Sequence, residues 1–85
     1  MIIKYLLTPT NTKILIFLID NNASNYTHIN KKLDVTFSAV VKSINKLREL
    51  KLTELEHTGR ITKVNLTSKG VMIANHLKEI YEAIK

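Results

Sequence analysis

Between Thr36 and Leu50 the chain reads TFSAVVKSINKLREL, and its apolar residues Val40, Val41, Ile44, Leu47 and Leu50 recur every three or four positions. That spacing is one stripe of a helix. Thr36 can cap its start, because a threonine hydroxyl accepts from an unpaired backbone N–H of the first turn. The opposite face carries Ser38, Ala39, Lys42, Ser43, Asn45 and Lys46, with no acid before Glu49. Short, hydroxylated residues followed by cations suit a major groove, with base edges opposite the former and phosphates opposite the latter. An ordinary amphipathic surface helix shows the same pattern, so the flanking segments decide between the two.

Upstream, Thr8-Pro9 is a helix start: Thr8 as N-cap and Pro9 in the first turn, where its missing N–H costs nothing. TNTKILIFLIDNN follows and is apolar on most sides from Ile14 to Ile19, which predicts a central core helix over residues 8–22. Ala23-Ser24 reads as a plain connection. Asn25 can cap a short helix, YTHINKKL, that buries Tyr26 or Ile29 together with Leu33 and exposes Lys31 and Lys32. Asp34-Val35 then turns into the Thr36 helix, so residues 25–50 make a helix-turn-helix.

Beyond Leu50 the period shortens. Leu52 and Leu55, the turn pair Thr58-Gly59, and the alternating Ile61, Val64 and Leu66 predict a β-hairpin over residues 52–66. The alternation is imperfect, which predicts a bulge or a longer loop. Thr67 and Ser68 can cap a last helix over residues 67–85, where Ile73, Leu77, Ile80 and Ile84 form a seam with Ala74 and Tyr81 beside it. Met1 to Leu7 fits either a short strand or the lead-in to the first helix. The fold class expected is α+β and mostly helical, one domain of three helices, a two-stranded hairpin and a C-terminal helix.

Composition narrows the function. With 85 residues the chain supports one small core, and with no cysteine it holds neither disulfides nor thiolate metal sites. A net charge of +6 and a sequence pI near 9.7 favour polyanionic partners. The apolar N-terminal MIIKYLLT is too short for a signal core or a membrane span, which suggests an intracellular, cytoplasmic protein. His28, His57 and His76 lie on three different elements with no ligand spacing among them, and no catalytic triad, phosphate loop or carboxylate pair occurs. No enzyme activity, metal or cofactor is expected.

The order helix, helix-turn-helix, hairpin, helix resembles the winged-helix DNA-binding domains of small bacterial and archaeal transcription regulators, broadly the MarR/ArsR-like group. Thr8-Pro9 with KILIFLIDN resembles the first helix of that family. YTHINKKLDVTFSAVVKSINKLRELKL resembles its helix-turn-helix, and TGR followed by ITKVNLTSKG its wing and the start of its last helix. The likeness covers roughly residues 8–70. Three positions depart from it: Asn30 where a small alanine is usual, Lys51 where a helix-ending glycine is usual, and Phe37 at an early recognition-helix position that is often polar.

The resemblance implies sequence-specific binding of double-stranded DNA by a homodimer. Ser38, Ala39, Lys42 and Ser43, with Thr36 at the helix start, are then the candidates for contact at or near base edges. Lys46, Lys31 and Lys32 would meet phosphates. Arg60 at the wing tip would enter a minor groove, and Lys63 and Thr58 would touch the adjoining backbone. Tyr26 and Thr27 can donate to a phosphate. Ile73, Leu77, Ile80, Tyr81 and Ile84 are the expected dimer interface, which Met1 to Leu7 can join. Two alternatives stand beside this reading: a winged helix that docks on another protein, and an architectural DNA binder indifferent to sequence.

Overall fold

A computed structural model describes residues 8–84. The readings made for Met1 to Leu7 lie outside the described residues, as does Lys85. Helix α1, Pro9–Asp20, begins where Thr8-Pro9 predicts and stops two residues short of Asn22. It ends because the backbone N–H and the side-chain amide of Asn21 both donate to the Phe17 carbonyl, each at 3.1 Å. Ile14, Leu15 and Leu18 are fully buried and Ile16, Phe17 and Ile19 partly so, as expected of a central helix.

Ala23, at φ 63°, turns the chain into β1, Ser24–Asn25. The sequence predicted a plain connection here, but these two residues pair antiparallel with β3, Ile61–Leu66, in the register Ser24↔Val64 and Asn25↔Lys63. The join is reinforced from both sides. The Ala23 N–H donates to the Val64 carbonyl at 3.0 Å, and the Asn22 side chain accepts from the Leu66 N–H at 2.9 Å. The hairpin is therefore the larger part of a three-stranded sheet of order β1-β3-β2, with β2 at Thr53–Thr58.

Two capped helices follow. The Asn25 side chain accepts from the His28 N–H at 2.7 Å to open α2, Tyr26–Leu33. The Thr36 hydroxyl accepts from the Ala39 N–H at 3.1 Å to open α3, Phe37–Glu49. Between them Asp34 takes a left-handed conformation at φ 53°, and the Asn30 amide donates to the Val35 carbonyl. Asn30 thus ties the turn, where an alanine would only pack. Lys51 sits at φ 62°, in the backbone conformation that makes glycine usual at this place, and its N–H donates to the Arg48 carbonyl at 2.9 Å.

The β2–β3 hairpin has no bulge and no long loop. Its pairing runs unbroken from Thr53↔Leu66 to Thr58↔Ile61, leaving Gly59-Arg60 as a two-residue turn. Gly59 carries the positive φ of 62° at the first central position, as a tight hairpin turn requires. The broken alternation has another cause. His57 and Thr62 share the core-side face with Leu55 and Val64, but lie near the tip, where the hairpin has left the core and its faces need not differ.

Helix α4, Ser68–Ile84, is capped by Thr67, whose hydroxyl accepts from the Gly70 N–H at 3.0 Å and donates to the Lys51 carbonyl at 2.7 Å. At Gly70 a Cβ would lie 1.9 Å from the Leu52 carbonyl oxygen, so only glycine lets the helix start approach this strand so closely. Ala74 and Leu77 then join the core formed by α1, Ile29, Val40, Ile44, Leu47, Leu52, Val64 and Leu66. Leu77 was expected at a dimer interface and instead belongs to this core, because α1 lies against that turn of α4.

Candidate nucleic-acid interface

On α3 the inward stripe is Val40, Ile44 and Leu47, and the outward one is Ser38, Lys42, Asn45 and Glu49, all exposed. Ser43, predicted on the open face, is only 8% exposed. It lies three residues after Val40 and four before Leu47, inside the apolar arc, and its small hydroxyl fits there. Ala39 and Lys46 are partly buried on the flank nearest α1. The Lys46 ammonium is 3.3 Å from the Glu49 carboxylate, so part of its charge is used within the helix. Unopposed positive charge on the outward stripe is therefore Lys42, and the acid-free part of that stripe is the N-terminal half. Thr36 is exposed. Its oxygen already serves the helix cap, while its hydroxyl proton is still available to a ligand.

Lys31 and Lys32 stand exposed in the last turn of α2, where cations complement the partial negative charge of a helix end. Asn45 was not among the candidates, yet it is exposed three residues beyond Lys42. Its carboxamide has the paired donor and acceptor that suit an adenine edge. The same spacing argument that names Lys42 would have named it.

Beside α3 a cleft of about 440 Å³ opens between the starts of α2 and α3 and the hairpin. It brings together Tyr26 and Thr27 from α2, Phe37 from α3, and Arg60 and Ile61 from the tip. The Tyr26 and Phe37 rings meet at 6.1 Å and 58°, which leaves Tyr26 partly buried and Phe37 half exposed. Phe37 is thus partly packed, as a residue between core and surface. Deeper along the hairpin His57 Nδ1 and the Thr62 hydroxyl are 3.1 Å apart and close the wall.

Thr58 and Lys63 face elsewhere. Directly opposed residues share a face of an antiparallel pair, so Lys63, opposite Glu56, lies on the outer face with Glu54 and Thr58, while Ile61, in the last pair before the turn, still borders the cleft. The Asn65 amide donates to Glu56 at 3.1 Å on that same face. Two carboxylates make the flank of the hairpin a poor surface for phosphates. Arg60, exposed at the turn, projects beyond them. Of the candidate contacts, Tyr26, Thr27 and Arg60 line this cleft, Ser38 and Lys42 are exposed on the outward stripe of α3, Lys31 and Lys32 are exposed at the end of α2, and Ser43 is withdrawn into the core side.

No family model matches the sequence, and no curated protein does. Solved structures match closely. ZitR of Lactococcus lactis is similar at 30% identity and a TM-score of 0.85, over 92% of this chain and 55% of that one. The fold is a winged helix-turn-helix. A protein of Archaeoglobus fulgidus matches the winged helix at 29% identity and a TM-score of 0.83, over all of this chain and 98% of the other. FabT of Streptococcus pneumoniae, solved in complex with DNA, shares the fold at 21% identity and a TM-score of 0.81, covering 92% of this chain and 57% of its own. Further structures with this fold include a MarR transcriptional regulator of Methanosarcina mazei and MepR, a transcription regulator of Staphylococcus aureus. This chain spans about half the length of the ZitR and FabT chains.

In the winged helix, α3 is the second helix of the helix-turn-helix and β2–β3 the wing, while β1 is a third strand that the expected two-stranded wing lacked. Among the described residues no helix is long and apolar enough to cross a membrane, and no three His, Cys, Asp or Glu side chains are grouped to hold a metal.

Proposed function

We propose that this winged helix binds double-stranded DNA in a sequence-specific manner, as a homodimer, and regulates transcription by occupying its site. One observation carries the reading. The open face of α3 presents Ser38, Lys42 and Asn45 with no acid before Glu49, next to a wing tip that presents Arg60. That combination suits a helix in the major groove with an arginine in the neighbouring minor groove. The DNA complex of a FabT protein with this fold supports it.

Lys31, Lys32 and Lys46, with Thr27 and Tyr26, then position the domain on phosphates, and Ser38, Ala39 and Lys42 read the bases, whereas Thr58 shares the face of Glu54 and Glu56. Lys63 contributes least, because Glu54 and Glu56 share its face. For the dimer, the support is the exposed apolar surface of Ile80, Tyr81 and Ile84 at the end of α4. A two-fold pair would set its recognition helices about one DNA turn apart, roughly 34 Å, and would favour a palindromic site.

Fluorescence anisotropy of a random-sequence duplex across a salt series tests the reading. Affinity should fall steeply with salt, and Lys31→Ala and Lys32→Ala should each make the log–log slope shallower by about one. A protein that binds no duplex at low salt overturns it.

A further inference from the structure

Phe37 is the first residue of α3, and half of it (50%) is open to solvent. Across the cleft Ile61 is equally exposed, at 50%. A tilted contact with the Tyr26 ring holds the phenyl ring from behind. Further round the same helix, Ser38 and Lys42 stand exposed on its outward stripe. Thus the acid-free end of the recognition helix carries one large apolar group, braced from one side, which can make no hydrogen bond.

We propose that Phe37 is a specificity-determining residue that reads the C5 methyl group of thymine in the major groove. The inference rests on the DNA-binding reading above and deepens it. Base edges in that groove present donors and acceptors, and the thymine methyl is their apolar feature. A phenyl ring pressed on a cytosine amino group or a purine N7 would strip water from a polar atom and return no hydrogen bond. Pressed on a methyl, it removes apolar surface from water on both sides. The Tyr26 contact restricts the ring before binding, so less freedom is lost when the base arrives. Lys42, further along the outward stripe, can meet a guanine or a phosphate. It cannot sense a methyl group.

The test starts from a duplex enriched by the full chain from a randomised pool. Each thymine in turn is replaced by deoxyuridine, which keeps the hydrogen-bonding edge and removes only the methyl. At one position per half-site the wild-type affinity should drop about fourfold, the size expected for one buried methyl group. At that position a 5-methylcytosine·guanine pair should bind better than cytosine·guanine, which separates the methyl from the thymine carbonyl. Phe37→Ala should keep the wild-type far-UV circular dichroism spectrum and a single cooperative melt, confirming that it is folded, and should show no uracil penalty at the position. Phe37→Leu should keep part of the penalty. A site with no uracil penalty, or one that persists unchanged in Phe37→Ala, overturns the assignment and leaves DNA binding standing. Failure of the wild type to bind any duplex overturns both.

Discussion

The two halves of α4 carry similar apolar residues and meet opposite fates. In the first half Gly70, Ala74 and Leu77 are buried, and the helix start presses on the backbone of Leu52. In the second half Ile80 and Tyr81 are about half exposed and Ile84 is 78% exposed. The spacing of the seam runs through both halves without a break. What changes is the supply of neighbours. The sheet end and α1 cover the first turns, whereas beyond Lys78 the helix only flanks a groove of about 370 Å³ lined by Ile16, Phe17, Leu33 and Tyr81. Periodicity announces an apolar face, and the rest of the chain decides how much of it becomes core.

Given that contrast, damage in the first half should destabilise the domain at any protein concentration. Gly70→Ala should have the largest effect. Its Cβ would lie 1.9 Å from the Leu52 oxygen and 2.9 Å from the carbonyl carbon, so backbone has to move, and the helix cap on Thr67 moves with it. The expected loss is at least the roughly 3 kcal/mol that marks severe overpacking, read as a fall in the urea midpoint. Near-wild-type stability would mean that the helix start can retreat from the strand at little cost. Leu77→Ala comes next. It vacates a site that is 6% exposed at the edge of the core, where partial collapse is easy, and should cost about 2–3 kcal/mol. A loss that changed with protein concentration would place Leu77 between subunits after all.

The elements most legible in the sequence are those set by local rules. Asn25, Thr36 and Thr67 each accept a hydrogen bond from a first-turn N–H of the helix they precede, because capping needs only residues within one turn. The core stripes of α1 and α3 are legible for the same reason. What escaped reading depends on distant partners. Ser24–Asn25 is too short to show alternation and becomes a strand only because β3, some forty residues later, has an open edge. Leu77 is core rather than interface because of where α1 lies.

Ser43 is different. Its position between Val40 and Leu47 was there to be used, but a serine among lysines was assigned by chemistry instead of by angle. At the candidate site, Lys42 and Arg60 follow from sequence order. The meeting of Tyr26, Phe37 and Ile61 does not, since it needs the hairpin to fold back over the starts of two helices.

The smallest effect on the fold itself belongs to the exposed half of α4. The double substitution Ile80→Ser and Ile84→Ser removes apolar groups that touch solvent more than core, so intrinsic stability should shift by no more than about 0.5 kcal/mol per site. Association should change far more. If Ile80, Tyr81 and Ile84 cover one another in a homodimer, the wild type sediments as a dimer at micromolar concentration and its melting temperature rises with concentration. The variant then sediments as a monomer with a concentration-independent melt. Its weaker DNA affinity would reflect the loss of a second recognition helix on the same duplex, since each variant monomer retains Lys42 and Arg60. A wild type that is already monomeric at these concentrations would remove the dimer from the proposal. The single winged helix would then have to account for all of the DNA affinity.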